Sequence, residues 1–237
     1  DITGTNDVPE IVAQTAAAME DNSFIIDPND LLIGSSDVDA LDTLTVTDVT
    51  TNSADGTLTP NADGTWTFTP NQDFTGDVQF TYTVDDGSGA ANSTSSSSLT
   101  LTYNAVNDAP VISLKGGSSH FQEGQAPLKI APAGSVDITD VDSTDFDGGS
   151  LTVSLTGGGA NDELGFGPGV VTTDGSGNLY YPGPQGDLIG SYTGGTNGED
   201  LVVSFNANVT PQIAEKVLKQ ITFNNESDNP VEGDRII

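Results

Sequence analysis

Three acidic landmarks recur in one order and at nearly one spacing, which restricts the chain to an array of two similar units. Asn6-Asp7 returns as Asn107-Asp108 after 101 residues. Glu20 returns as Glu123, and Asp37-Val-Asp39 as Asp140-Val-Asp142, each after 103 residues. Such recurrence is the signature of a repeated module. The central junction, Tyr103-Asn-Ala-Val-Asn-Asp-Ala-Pro110, is echoed near the start by Gly4-Thr-Asn-Asp-Val-Pro9. Proline fixes its own φ and pushes the preceding residue towards extended geometry, so each Asn-Asp-x-Pro reads as a stiff acidic connector. The expected modules are residues 1–106 and 107–237, a size that suits two domains. Asp1 reads as the tail of a preceding strand, as in an excerpt of something longer.

Within the first module, period-two alternation marks strands at Leu44–Val49, Thr65–Thr69, Val78–Val84 and Leu99–Tyr103. Turn signals separate them at Asp55-Gly56, Asn61–Gly64, Pro70-Asn71 and Asp86-Gly87. Short strands at this spacing predict an antiparallel β-sandwich. Asp27–Ile33 has room for one helical turn, and the serine-rich run Ser93–Ser98 reads as a strand edge or loop. The second module repeats the pattern at Leu151–Leu155, then enters a glycine-rich region from Gly157 to Gly198. One short helix is expected there: Thr210 as N-cap, Pro211 at the first position, apolar residues at 213, 217 and 218. Nothing after it matches the Phe80–Gly87 and Leu99–Tyr103 strands, so the second module is expected to lack its last strands.

Charge narrows the function. The chain has 35 acidic and 5 basic residues, net −30, and no Lys or Arg before Lys115. Phosphate binding needs Lys and Arg, so a nucleic-acid surface is excluded, and anionic membranes are disfavoured. Cysteine is absent, leaving stability to the core or to bound ions. Clustered Asp, Glu and Asn oxygens suit calcium, which takes six to eight hard ligands in irregular geometry. In an extended segment, residues two apart point the same way, so Asp37 with Asp39, and Asp140 with Asp142, each offer two carboxylates to one ion. The first strand carries Glu20 away from the N-terminal connector, towards Asn107 and Asp108 and the Asp140/Asp142 pair.

These residues, together with Tyr82-Thr-Val-Asp-Asp-Gly87, resemble the cadherin-like tandem repeats of very large bacterial surface adhesins, the type I-secreted RTX adhesins. Residues 6–106 resemble such a repeat throughout, including Asp63–Gly76. Residues 107–237 resemble a second repeat type through Phe121–Gly124, Thr139–Gly149 and Asn224–Pro230. The resemblance implies all-β architecture: two tandem cadherin-like, immunoglobulin-like Greek-key sandwiches. It also implies calcium (Ca2+) as cofactor, with ligands Glu20, Asn107, Asp108, Asp140 and Asp142 at the centre. An upper half-site would use Asn6, Asp7, Asp37, Asp39 and Asp86, with Asp73 on the lower rim. Implied too are a bacterial cell-surface location, a role in adhesion and biofilm, and neighbouring modules of the same polypeptide as partners.

Other readings compete at single residues. Asp145 and Asp147 either extend the Asp140/Asp142 site or make the turn at Gly148-Gly149. Asp55, Asp63 and Asp174 precede glycine and read as turn residues. His120, the single histidine, has no cysteine or second histidine to make a zinc site, and Trp66 reads as core. Tyr180 and Tyr181 offer the alternative function, a glycan- or peptide-binding face in the second module. Gly165–Gly169 lacks the lysine of a phosphate loop. No cleft supports glycosidase chemistry, so the chain is expected to be no enzyme unless a catalytic domain lies elsewhere in the gene.

Overall fold

The computed structural model describes residues 4–39, 41–131 and 136–237, and Asp1 lies outside them. The chain divides into two compact units, Asp1–Val106 and Asn107–Ile237.

Module one contains β1 (Gln14–Met19), β2 (Phe24–Ile26), the single-turn α1 (Pro28–Leu31), β3 (Thr45–Thr51), β4 (Gly56–Pro60), β5 (Trp66–Pro70), β6 (Gly76–Asp85) and β7 (Thr94–Asn104). They form two sheets, β1-β7-β6-β3 and β2-β5-β4. Every pairing is antiparallel except β1 on β7, which is parallel from Gln14↔Leu99 to Met19↔Asn104. Alternation explains the packing: Val78, Phe80, Tyr82 and Val84 of β6 turn inward and are buried, while Gln79 and Thr81 stay outside. They meet Phe68 of β5, whose ring stands edge-on to Phe80 at 5.2 Å. Trp66 packs at the margin of this core. The serine run after Ser93 is strand rather than loop. Ser95–Ser98 pair with Thr81–Val84, because β6 is long enough to template them.

Module two contains β8 (Val111–Leu114), β9 (Leu128–Lys129), β10 (Val136–Thr139), β11 (Ser150–Val153), β12 (Asp162–Phe166), β13 (Thr172–Thr173), β14 (Asn178–Tyr181), β15 (Asp187–Gly194), β16 (Leu201–Phe205), α2 (Pro211–Leu218) and β17 (Ile221–Asn225). The sheets are β10-β8, β11-β16-β15-β14-β13 and β12-β17-β9. The last has the order of β4-β5-β2 in module one, and β9 falls 103 residues after the β2 segment. In module one a short turn joins β4 to β5; in module two residues 167–220, with four strands and α2, separate β12 from β17. The glycine-rich region is therefore folded: it holds β12 to β15. Gly194 shows why glycine is needed, with φ +73° and the Asp200 carbonyl where a Cβ would stand, at the turn into β16.

Helix α2 starts as expected. Thr210 caps it by accepting from the Ile213 N–H, Pro211 occupies the first turn, and Ala214, Val217 and Leu218 are buried in the module's core. Its Glu215 accepts from the Ile138 N–H of β10 at 3.3 Å and from Lys219 at 2.7 Å. Beyond β17, Ile236 exchanges two backbone hydrogen bonds with Thr156. Arg235 donates from Nε to the fully buried Asp162 at 2.7 Å, and Asp162 also accepts from Asn225 and the Gly159 N–H. Burial pushes the Asp162 carboxyl up, but the Asn225 and Arg235 hydrogen bonds outweigh it and hold it below the ordinary range. No helix among the described residues is long and apolar enough to cross a membrane.

Candidate metal centre

The acidic end of module one is built by three segments. The connector places Asn6, the β2–β3 segment places Asp37, Asp39 and Asp42, and the turn after β6 places Asp86. Asn6 is clamped: its Nδ2 donates to Asp86 Oδ2 at 3.0 Å, and its carbonyl accepts from Asn92 at 2.8 Å. The Asp7 N–H donates to Asp39 Oδ2 at 2.8 Å, and the Asp39 N–H to Asp37 Oδ1 at 2.8 Å. The last bond is an Asx turn, so Asp37 and Asp39 are not two steps of one extended strand. The bend sends Asp39 to the connector and brings Asp42 in beside Asp37.

Carboxylate oxygens of Asp37, Asp42 and Asp86 lie within 4.8 Å of one another. Asp86 is fully buried. Burial pushes its carboxyl up, but hydrogen bonds from Ser88 and Asn6 prevail and hold it below the ordinary range. Asp42 is pushed up, by burial first and then by the charges of Asp86, Asp39 and Asp37. Oδ2 of Asp37 and Oδ2 of Asp42 are buried with no hydrogen-bond partner among the described residues. Buried oxygens of this kind need a donor or a cation. Three converging hard oxygens with no basic residue before Lys115 fit a divalent cation of the calcium type. Asp42 escaped the sequence reading because it lies outside the Asp-x-Asp pair; its signal was the turn in which its N–H donates to the Asp39 carbonyl at 3.1 Å.

Module two repeats the local bonds. Asn107 donates from Nδ2 to the Asp108 carbonyl at 2.7 Å, as Asn6 does to Asp7. The Asp108 N–H donates to Asp142 Oδ2 at 3.2 Å, and the Asp142 N–H to Asp140 Oδ1 at 3.4 Å. Burial pushes the Asp140 carboxyl up, but the amides of Ser143 and Asp142 hold it below the ordinary range. Asp145, 103 residues after Asp42, accepts from the Asp147 N–H, and Asp147 is exposed in that turn. Among the described residues of module two, no three carboxylates converge as Asp37, Asp42 and Asp86 do.

At the other end of module one, Glu20 is buried and its Oε1 accepts from the Val106 N–H. Asp73 donates its N–H to Asp21 Oδ1 at 3.0 Å, with both residues at φ near +60°. Glu123 and His120 are exposed. Of the tyrosines, Tyr181 and Tyr192 are half-buried against the core, and the half-buried Tyr180 donates to Asp174 in a turn.

Residues 5–102 match the family model described as Cadherin-like domain, in agreement with the two-sheet topology of module one. No curated protein matches the chain. Among solved structures it is similar to an endo-fucoidan hydrolase from glycoside hydrolase family 107, at 15% identity and TM-score 0.22. It is similar to a variant of that hydrolase at 15% identity and TM-score 0.21. In each case 84% of this chain is covered, and it spans 24% of the solved chain. At such TM-scores nothing follows about fold or activity.

Proposed function

We propose that the chain is a pair of extracellular, calcium-stiffened extender modules of a bacterial adhesin of the RTX type, with a mechanical role in cell adhesion and biofilm. It works without catalysis, and its partners are neighbouring modules of the same polypeptide. The convergence of Asp37, Asp42 and Asp86, with two buried oxygens left without donors, is the observation that supports this reading. Those three residues would hold the ion, with Asp39 and the side-chain oxygen of Asn6 beside them. Bound calcium would supply the positive charge that this end lacks. The protein's part is to gather the carboxylates at the cost of burying them and of their mutual repulsion, which in that order raise Asp42. Through the Asn6–Asp86 and Asn6–Asn92 bonds the connector is fastened to the same end. Loading the site would then stiffen the connector as well as the module.

Thermal melts in calcium, in excess chelator and in magnesium test this. Extracellular modules bind calcium with Kd of about 10⁻⁴ to 10⁻³ M, and a hundredfold excess over Kd contributes about 2.7 kcal/mol. The expected result is a calcium-specific rise in module one's transition that disappears in Asp86→Asn. Equal melts in all three conditions would refute the reading.

A further inference from the structure

Among the described residues one edge of module two's sheet is unpaired, and we infer that this edge is an acceptor for a β-hairpin patterned like β6–β7. The reasoning starts from alternation. In module one Asp86, in phase with the inward residues Tyr82 and Val84, donates its N–H to Ser93 on the β7 side. The outward residues of β6 are therefore those that bond to β3, and they meet outward residues of β3 such as Thr50. In module two the carbonyl of Gly149 accepts from the Phe205 N–H. In phase with Gly149 are the inward, buried Leu151 and Val153, so it is the inward residues of β11 that bond to β16. For L-residues in a strand of given direction, inward residues always send their amides to the same side. β16 thus sits on the side of β11 opposite to the one that β6 takes on β3. The β6-side edge, with the N–H and C=O groups of Ser150 and Thr152, has no partner strand among the described residues. Thr156, in phase with these two, already holds Ile236 in an antiparallel bridge.

Among the described residues the flank across from this edge is unpaired as well. Segment 117–122, the counterpart of β1 at the 103-residue spacing, forms no strand, whereas β1 is held by β7. Next to it, β8 pairs with β10 so that Ile112 faces Ile138 and Leu114 faces Val136. Opposed residues share a face. Ile138 and Val136 are 5% and 6% exposed in the core, yet Ile112 is 46% and Leu114 59% exposed. An inward-facing apolar pair is left uncovered, while in module one, where the hairpin is present, Ile11 packs against the core. A strand pair with apolar residues on alternate positions satisfies both needs: one strand antiparallel on β11, the other parallel to segment 117–122 and over Ile112 and Leu114. A second copy of this chain does not fit, since its own β6–β7 is already paired to β3 and β1.

The test adds a synthetic peptide of residues 76–104 to the full chain, and in a second arm fuses the same hairpin after Ile237 through a flexible linker. Amide exchange and methyl exposure to a soluble paramagnetic probe are the readouts. The expected result is at least tenfold slower exchange at Ser150 and Thr152, shielding of the Ile112 and Leu114 methyls, and loss of both in Thr152→Pro. That variant leaves the hairpin-free chain unchanged, because the lost N–H faces an empty edge. No change in either arm would overturn the inference. So would a concentration-dependent dimer of the chain alone that protects the same amides, since a second copy would then be the occupant.

Discussion

The acidic ends of the two modules share their local chemistry and differ in how they are closed. Asn6, Asp7, Asp39 and Asp37 are linked by the same three hydrogen bonds as Asn107, Asp108, Asp142 and Asp140. Among the described residues, module one alone adds to this connector end a buried carboxylate from a distant turn, Asp86, which converges with Asp37 and Asp42. Connector and Asx turn are thus set by a few consecutive residues, whereas the cluster depends on the strand pair β6–β7 that carries Asp86. The same pair separates the two cores: it buries Tyr82 and Leu101 in module one, and no strand pair among the described residues of module two takes that place beside β11.

The largest effect should come from the closed core. Phe68→Ala, at a fully buried ring, is expected to cost module one about 3–5 kcal/mol, whereas Leu114→Ala on the uncovered face of module two should stay within about 0.5 kcal/mol. Urea unfolding of the two variants would erase the contrast if their losses matched. Next is Arg235→Ala, which leaves Asp162 buried without its cation and should cost module two about 3 kcal/mol. Acid sharpens the comparison further, because the signs are opposite. Asp162 is depressed in the fold, so its contribution is present above the ordinary value of 3.8 and fades as pH falls through the folded pKa. Asp42 is raised, so in chelator its own contribution to module one should rise as pH falls through its folded pKa, opposed at lower pH by the loss from the depressed Asp86. Asp42→Asn should give that gain already at neutral pH and weaken the calcium response, both visible in melts from pH 7 down to about 3. Smallest of all, Lys219→Ala removes one i,i+4 pair and should cost about 0.3–0.5 kcal/mol in thermal unfolding.

Module one was largely readable because β3, β5, β6 and β7 advertise themselves: Val78–Val84 alternates without interruption, and the turns between strands carry Asp-Gly or Asn, whereas Gln14–Met19, Phe24–Ile26 and Gly56–Pro60 carry no such alternation mark. β12 to β15 were not, since Gly165, Gly190 and Gly194 replace the side chains whose alternation would mark a strand. Their folding depends on non-local partners such as the Asp200 carbonyl close against Gly194. Helix α2 was visible from Thr210-Pro211 because capping is local chemistry. In the candidate site, Asp37 and Asp86 stood out by motif, while Asp42 enters through a bend that spacing rules for extended chains do not describe.

The parallel pairing of β1 with β7 has a mechanical consequence. These are the strands through which the chain enters and leaves module one, and they run side by side from Gln14↔Leu99 to Met19↔Asn104. A tensile force applied at the two ends slides one strand along the other, so the bonds between them share the load at once instead of parting one by one. In module two the entering strand β8 pairs with β10, close to it in sequence. Under load the two modules would therefore yield by different routes, with module one resisting in shear.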